Sequence, residues 1–129
     1  MAIELNHTIV NVRDKRESAE FLAEILGLPP AVPFFGHFLV LRLNNGVSLD
    51  FCDSEEPVEP QHYAFLVSDR EFDEIFARVK GRGLTYWADP ARKQPNEINH
   101  HFGGRGFYFL EPSGHFLEVI IRPYEMVGE

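Results

Sequence analysis

The sequence predicts an α+β fold of two βαβββ modules forming a curved mixed sheet around a cleft. Three observations lead there. Two stretches recur in order at fixed offsets, each half carries one amphipathic helix in the same place, and each half ends in two apolar runs joined by a turn.

The recurrence comes first. Set LNHTIVNVRD (5–14) over PQHYAFLVSD (60–69), and His7 falls on His62, Val12 on Val67 and Asp14 on Asp69, at an offset of 55. Set FLVLRLNNGVSLDF (38–51) over GFYFLEPSGHFLEV (106–119), and Gly46 falls on Gly114, Leu49 on Leu117, Asp50 on Glu118 and Phe51 on Val119, at an offset of 68. The difference, 68 − 55 = 13, is extra chain inserted late in the second half.

The elements follow in order. A strand through His7 precedes a helix in KRESAEFLAEILGL, where Phe21, Leu22, Ile25 and Leu26 make one stripe and Gly27 is the stop. Asp14 with Glu17 reads as a capping box. A short strand near 31–35 leads to strands over 37–43 and 47–52, paired across Asn44-Asn45-Gly46. DSEEPVEP is an acidic, proline-punctuated stretch, and 54–60 is the linker. The second half repeats the plan. A strand through His62 precedes a helix with Phe72, Ile75, Phe76 and Val79 on one face, opened by a Ser68–Glu71 box and ended at Gly81. A short strand near 84–87 and strands over 106–111 and 115–122, joined by Pro112-Ser113-Gly114, complete it. Module one spans 3–53, module two 61–122, and a chain of 129 residues makes one domain of them.

Composition narrows the function. A hydrophobic share of 44% can fill a core, while a formal charge of −8 argues against nucleic acid and anionic membrane surfaces as partners. No apolar run approaches the roughly 20 residues of a membrane span, and MAIELNHTIVNVRDKRES is no signal peptide. Cys52 stands alone, as suits a reducing compartment, so a cytoplasmic location is expected.

Four ionisable side chains then stand out, because each interrupts an apolar strand: His7 and Asp50 in the first half, His62 and Glu118 in the second. A buried polar group in such a strand costs several kcal/mol unless it is paired or ligated. A solvent-facing or hydrogen-bonded position would also accommodate each one singly. Their equivalence under the repeat favours convergence on a divalent cation: Fe, Mn, Zn, Ni or Co. Two imidazoles and a carboxylate leave positions open for water and substrate. His7, His62 and Glu118 are the candidate ligands, and Asp50 is a fourth ligand or a residue behind them.

Paired modules of this kind, with His62-Tyr63-Ala64-Phe65 and the run Phe-Tyr-Phe-Leu-Glu-Pro-Ser-Gly-His-Phe-Leu-Glu over 107–118, resemble the vicinal oxygen chelate superfamily of glyoxalases, bleomycin-resistance proteins, fosfomycin-resistance transferases and extradiol-type dioxygenases. The resemblance covers about residues 3–122. It implies a metalloenzyme whose ligands are His7, His62 and Glu118, acting on a small oxygen-bearing substrate chelated to the metal. The reaction it implies is dioxygenase-like cleavage or glyoxalase-like isomerase or lyase chemistry. It also implies a homodimer, with ligands from one chain or from both. Glyoxalase I has a glutamate where this chain has Asp50, one methylene shorter, so the three-ligand set is nearer the dioxygenase and fosfomycin-transferase pattern. A metal-free small-molecule binding or resistance protein of the same fold is the alternative.

The surplus chain, WADPARKQPNEINHHFGGR (87–105), is expected to act as a lid hinged at Gly103-Gly104, with Arg105 or His101 approaching the substrate. Tyr108 is a candidate hydrogen-bond donor and general acid in the cleft. Trp87 is expected to pack under the loop, Cys52 in the core, and His115 at the surface.

Overall fold

The computed structural model describes residues 3–125 and divides the chain into two compact units. One runs up to Glu59 and includes Glu111–Gly114; the other comprises Pro60–Leu110 and the chain from His115 onward. Each unit contains one helix and a four-stranded mixed sheet.

In the first unit β1 (His7–Val12), α1 (Lys15–Leu26), β2 (Val32–Phe34), β3 (Phe38–Arg42) and β4 (Ser48–Asp53) make a sheet of order β1-β4-β3-β2. The β1–β4 pair is parallel and the others are antiparallel. Helix α1 begins where Asp14 accepts from the backbone N–H groups of Arg16 and Glu17, and it ends at Gly27 in the left-handed region. The expected box is only half made: Glu17 pairs with Arg13 at 2.8 Å instead of reaching back to the cap. The stripe Phe21, Leu22 and Ile25 is buried, as are Val10, Val12, Leu41, Leu49 and Phe51 on one face of the sheet. Burial of side chains of this size is worth about 1.5–3 kcal/mol each.

A buried polar cluster belongs to the same unit. Ser18 and Glu111 are 0% and 5% exposed. The Ser18 hydroxyl donates to Glu111 Oε2 at 2.7 Å, and the Ser113 backbone N–H donates to Glu111 Oε1 at 2.6 Å. The Arg13 N–H in turn donates to Ser113 Oγ at 2.9 Å.

The second unit repeats the plan with β5 (His62–Leu66), α2 (Asp69–Gly81), β6 (Tyr86–Trp87), β7 (Gly106–Leu110) and β8 (Phe116–Ile120), in the order β5-β8-β7-β6. The Ser68–Glu71 capping box is complete. Gly81 is still helical; the helix is capped at Arg82, and Gly83 supplies the left-handed turn. Phe72, Ile75 and Val79 are buried, and the Phe107 ring meets Phe72, Phe76 and Tyr86 at 5.3, 5.3 and 5.9 Å.

The registers reproduce the offsets read from the sequence. His7 pairs with Ser48 and Ile9 with Asp50, while His62 pairs with Phe116 and Ala64 with Glu118. First strands are thus displaced by 62 − 7 = 55 and last strands by 118 − 50 = 68. Val40 pairs with Val32 and Tyr108 with Trp87, so the edge strands still follow the shorter offset, 87 − 32 = 55. The 13 extra residues therefore enter between β6 and β7.

That segment is a bonded structure. Ala88 N–H donates to Gln94 O, Asn96 N–H to Tyr86 O, and Asn99 Nδ2 to Ala88 O, at 2.8–3.0 Å. Trp87 bridges to Pro95 and Asn99 to Gly106. At the expected hinge, Gly104 is buried, and a Cβ there would come within 3.2 Å of Arg122 and Ile121. Close approach explains that glycine. No helix among the described residues is long and apolar enough to cross a membrane.

Candidate metal centre

Pleating separates the two faces of each sheet. In the second unit, Phe65, Phe107, Phe109, Leu117 and Val119 share the face that meets α2; His62, Tyr108, Phe116 and Glu118 share the other, which no helix of the unit covers. Glu118 is therefore an inward residue of the sheet's middle, not a solvent-facing one: it is 2% exposed on a strand paired on both sides.

Three groups surround its carboxylate. His62 Nε2 lies 3.0 Å from Oε1, the Tyr124 hydroxyl donates to Oε2, and the Tyr108 hydroxyl is 3.1 Å from that of Tyr124. Since the Tyr124 proton goes to Glu118, Tyr108 donates to Tyr124. Burial pushes the Tyr108 phenol well above its ordinary range, reinforced by its bond to Tyr124; burial, then the bond to Glu118, raises Tyr124 as well. Tyr108 is thus held as a neutral donor. It also stacks on the imidazole, with centroids 6.0 Å apart and planes at 30°.

The histidine's tautomer follows from its other nitrogen. His62 Nδ1 is 2.9 Å from the Phe116 carbonyl, which can only accept, so Nδ1 carries the proton. In a neutral ring, Nε2 then points a lone pair at a carboxylate oxygen. Two acceptors 3.0 Å apart call for a cation near both, or for one more proton shared between the ring and the carboxyl. An imidazole oriented by a backbone carbonyl, beside a carboxylate, is the donor set divalent transition metals take.

The corresponding residues of the first unit lie on its helix-free face. His7 is exposed, with Nδ1 2.7 Å from Asn6 Oδ1, and Asp50 accepts from Ser48 Oγ at 3.0 Å. Among the described residues, neither unit by itself gathers three ligating side chains. The structure brings His62, Glu118 and Tyr108 together and leaves His7 with Asp50 in the other unit.

Other expected site residues are placed elsewhere. Arg105 lies on the α2 side of the sheet, with ion pairs of 2.8 Å to Asp73 and 3.0 Å to Asp69 and its guanidinium 4.3 Å from the Phe72 ring. Those two carboxylates raise its pKa. His101 opens a short 3-10 turn, His101–Gly103, and is exposed. His115, expected at the surface, is 1% exposed, its Nδ1 accepting the Gln61 N–H at 2.9 Å. Sequence reasoning missed Tyr124: it follows the last strand, and no spacing rule ties it to Glu118.

These features define a class, and comparison gives it a name. Residues 4–119 match the family model for the glyoxalase/bleomycin resistance protein/dioxygenase superfamily, and the chain belongs to that superfamily. Among solved structures it is similar to "Oxidase ChaP-H1", with 57% identity, a TM-score of 0.94 and coverage of 97% of this chain and 100% of that one. It is similar as well to "Oxidase ChaP-H2", at 55% identity and a TM-score of 0.93, covering 99% and 100%. Among curated proteins, "Glutathione transferase FosA" of Serratia marcescens is 32% identical over 89% of this chain and 78% of that protein.

Proposed function

We propose that this protein is a divalent-metal-dependent enzyme of the oxidase and dioxygenase branch, acting on a small substrate that chelates the metal through oxygen. The observation that carries the proposal is the His62–Glu118 pair, an imidazole Nε2 and a carboxylate oxygen 3.0 Å apart with the other ring nitrogen held by Phe116 O. His62 and Glu118 are two of its ligands, and His7, the repeat equivalent of His62, is the third, supplied by the same chain or by the partner in a homodimer. Asp50 stands beside His7 as a fourth ligand or a hydrogen-bonded support. The similarity to two proteins named as oxidases favours oxygen chemistry over the glyoxalase-like lyase reading.

When bound, the metal would supply Lewis acidity and, as iron, a place for dioxygen. The chain's own residues have separate tasks. His62 and Glu118 orient the lone pairs, Tyr124 holds the carboxylate oxygen that faces away from His62, and Tyr108, donating to Tyr124, would offer its neutral hydroxyl to a developing oxyanion only by giving up that bond. Ile9 and Leu66, 52% and 60% exposed on the helix-free faces, support a dimer that covers them. The free Cys52 is in keeping with a cytoplasmic setting.

Elemental analysis of the purified protein, alone and as His62→Ala, tests this. A stoichiometric divalent metal that the variant loses is expected, with iron and substrate-dependent oxygen uptake for the oxidase branch. Zinc or nickel with activity on a hemithioacetal would move the protein to the lyase branch, and no bound metal would make it a binding protein.

A further inference from the structure

We propose that the helix-free face of the second unit carries a subsite for a flat, conjugated organic anion, and that Arg92 is the specificity-determining residue that takes the anionic group. The proposal names the substrate class for the centre described above; it rests on that reading only for where the reacting end would lie.

A row of rings runs across the sheet. The Tyr108 and His62 rings stack as described; Phe116 stacks on Tyr108 at 5.2 Å and 16°, and Trp87 lies 6.4 Å from Phe116. At the far end the Arg92 guanidinium carbon is 5.8 Å from the Trp87 ring and 5.6 Å from the Phe116 ring. With Phe116 and His62 separated by 6.0 Å, the two legs bound the reach from guanidinium to imidazole. A ligand of only a few fused or linked rings could touch both ends.

The molecule contains its own control. At the repeat-equivalent positions the first unit has Val32 for Trp87, Val40 for Tyr108 and Ser48 for Phe116. The same strand pairings form there without a ring at those three positions, so the fold does not require Trp87, Tyr108 and Phe116 to be aromatic. Arg92 lies in the extra segment, which the first unit lacks.

Arg92 is also held in place. Asp89 caps the turn around it: its carboxylate accepts from the backbone N–H of Lys93 at 3.0 Å and of Gln94 at 2.8 Å, and its carbonyl accepts from the N–H of Arg92 at 3.2 Å. Arg92 itself sits at φ 59°, a left-handed conformation that a non-glycine residue rarely adopts. Among the described residues no carboxylate pairs with its guanidinium, whereas Arg13, Arg70 and Arg105 each pair with one. Resting on ring faces leaves its N–H fork available, and that fork matches a carboxylate or an enolate-type pair of oxygens bidentately. Ring faces beside it favour offset stacking with a planar ligand.

The test uses the whole chain, 15N-labelled and stripped of metal with EDTA. Trp87 is the only tryptophan, so its indole N–H gives one cross-peak that reports directly on the subsite. Naphthalene-2-carboxylate is expected to shift that peak saturably. Arg92→Gln should weaken its binding at least about tenfold, equivalent to roughly 1.4 kcal/mol, while binding of neutral 2-naphthamide is unchanged. Cyclohexanecarboxylate should bind more weakly than the naphthoate. Equal naphthoate affinity in Arg92→Gln, or equal affinity for the saturated acid, would overturn the proposal, as would an indole peak that never moves. Because no metal is present, a naphthoate failure leaves the His62–Glu118 assignment standing, and loss of that assignment leaves a positive naphthoate result intact.

Discussion

Replacing Glu118 by Gln should give a protein more stable than wild type without metal and less stable than wild type with it. In the metal-free chain Glu118 is 2% exposed, with one oxygen bonded to Tyr124 and the other facing an acceptor nitrogen of His62. A carboxamide fits those neighbours better. Its oxygen still accepts from Tyr124, and its NH2 donates to His62 Nε2. One well-made hydrogen bond in place of an acceptor–acceptor contact is worth about 1 kcal/mol. For a chain of 129 residues that is a rise in Tm of roughly 4 °C. With metal at about 100 times its Kd, wild type should gain about 2.7 kcal/mol, or on the order of 10 °C, and the variant almost nothing. Thermal melts followed by circular dichroism at pH 8, in EDTA and in manganese, read both numbers. The reasoning is refuted if Glu118→Gln melts below wild type in EDTA, because His62 would then be an imidazolium paired with a carboxylate. It is refuted equally if the variant keeps the metal-induced rise.

Two further outcomes concern stability alone. Ser18→Ala removes a hydroxyl that donates to the buried Glu111 carboxylate; urea titration should show a loss of about 1.5–3 kcal/mol with an unchanged m-value. Glu71 accepts from the Ser68 backbone, and this, with the hydroxyl of Ser68, depresses its pKa. Stability from a depressed carboxylate is present above its unfolded pKa of about 4.3 and is lost as pH falls through the folded value. Glu71→Gln should therefore melt below wild type at pH 7, and the gap should close in melts carried out below about pH 4.

Local patterns were legible wherever neighbours in sequence are also neighbours in space. Helical stripes, the Ser68–Glu71 cap, Gly46 and Gly114 at the turns, and the alternation that turns Glu118 away from Leu117 and Val119 all depend on spacings of two to four residues. The repeat was legible because strand register conserves its offsets, so the shifts of 55 and 68 carry the pairing of Ile9 with Asp50 onto that of Ala64 with Glu118. The loop was harder. Arg105 read as a free cation, yet pleating carries it to the α2 face, where Asp69 and Asp73 bind it. Nothing in the sequence set Arg92 apart from its fellow loop cations Lys93 and Arg105, because its place over Trp87 and Phe116 depends on a turn capped by Asp89. His115 looked like a turn residue at the surface, and burial beside Gln61 is a property of the folded unit.

Sequence by itself determined the two-module plan, the face on which His7, Asp50, His62 and Glu118 stand, and the point where extra chain enters. It could do so because periodicity and offset are one-dimensional quantities. Tertiary structure alone decided which nitrogen of His62 faces Glu118, that Tyr124 closes on the same carboxylate, and that Arg92 rather than Arg105 shares a face with them. Those outcomes turn on where a carbonyl, a hydroxyl or a guanidinium finds its partner across strands, and angstrom-scale distances between remote residues leave no trace in the order of the letters.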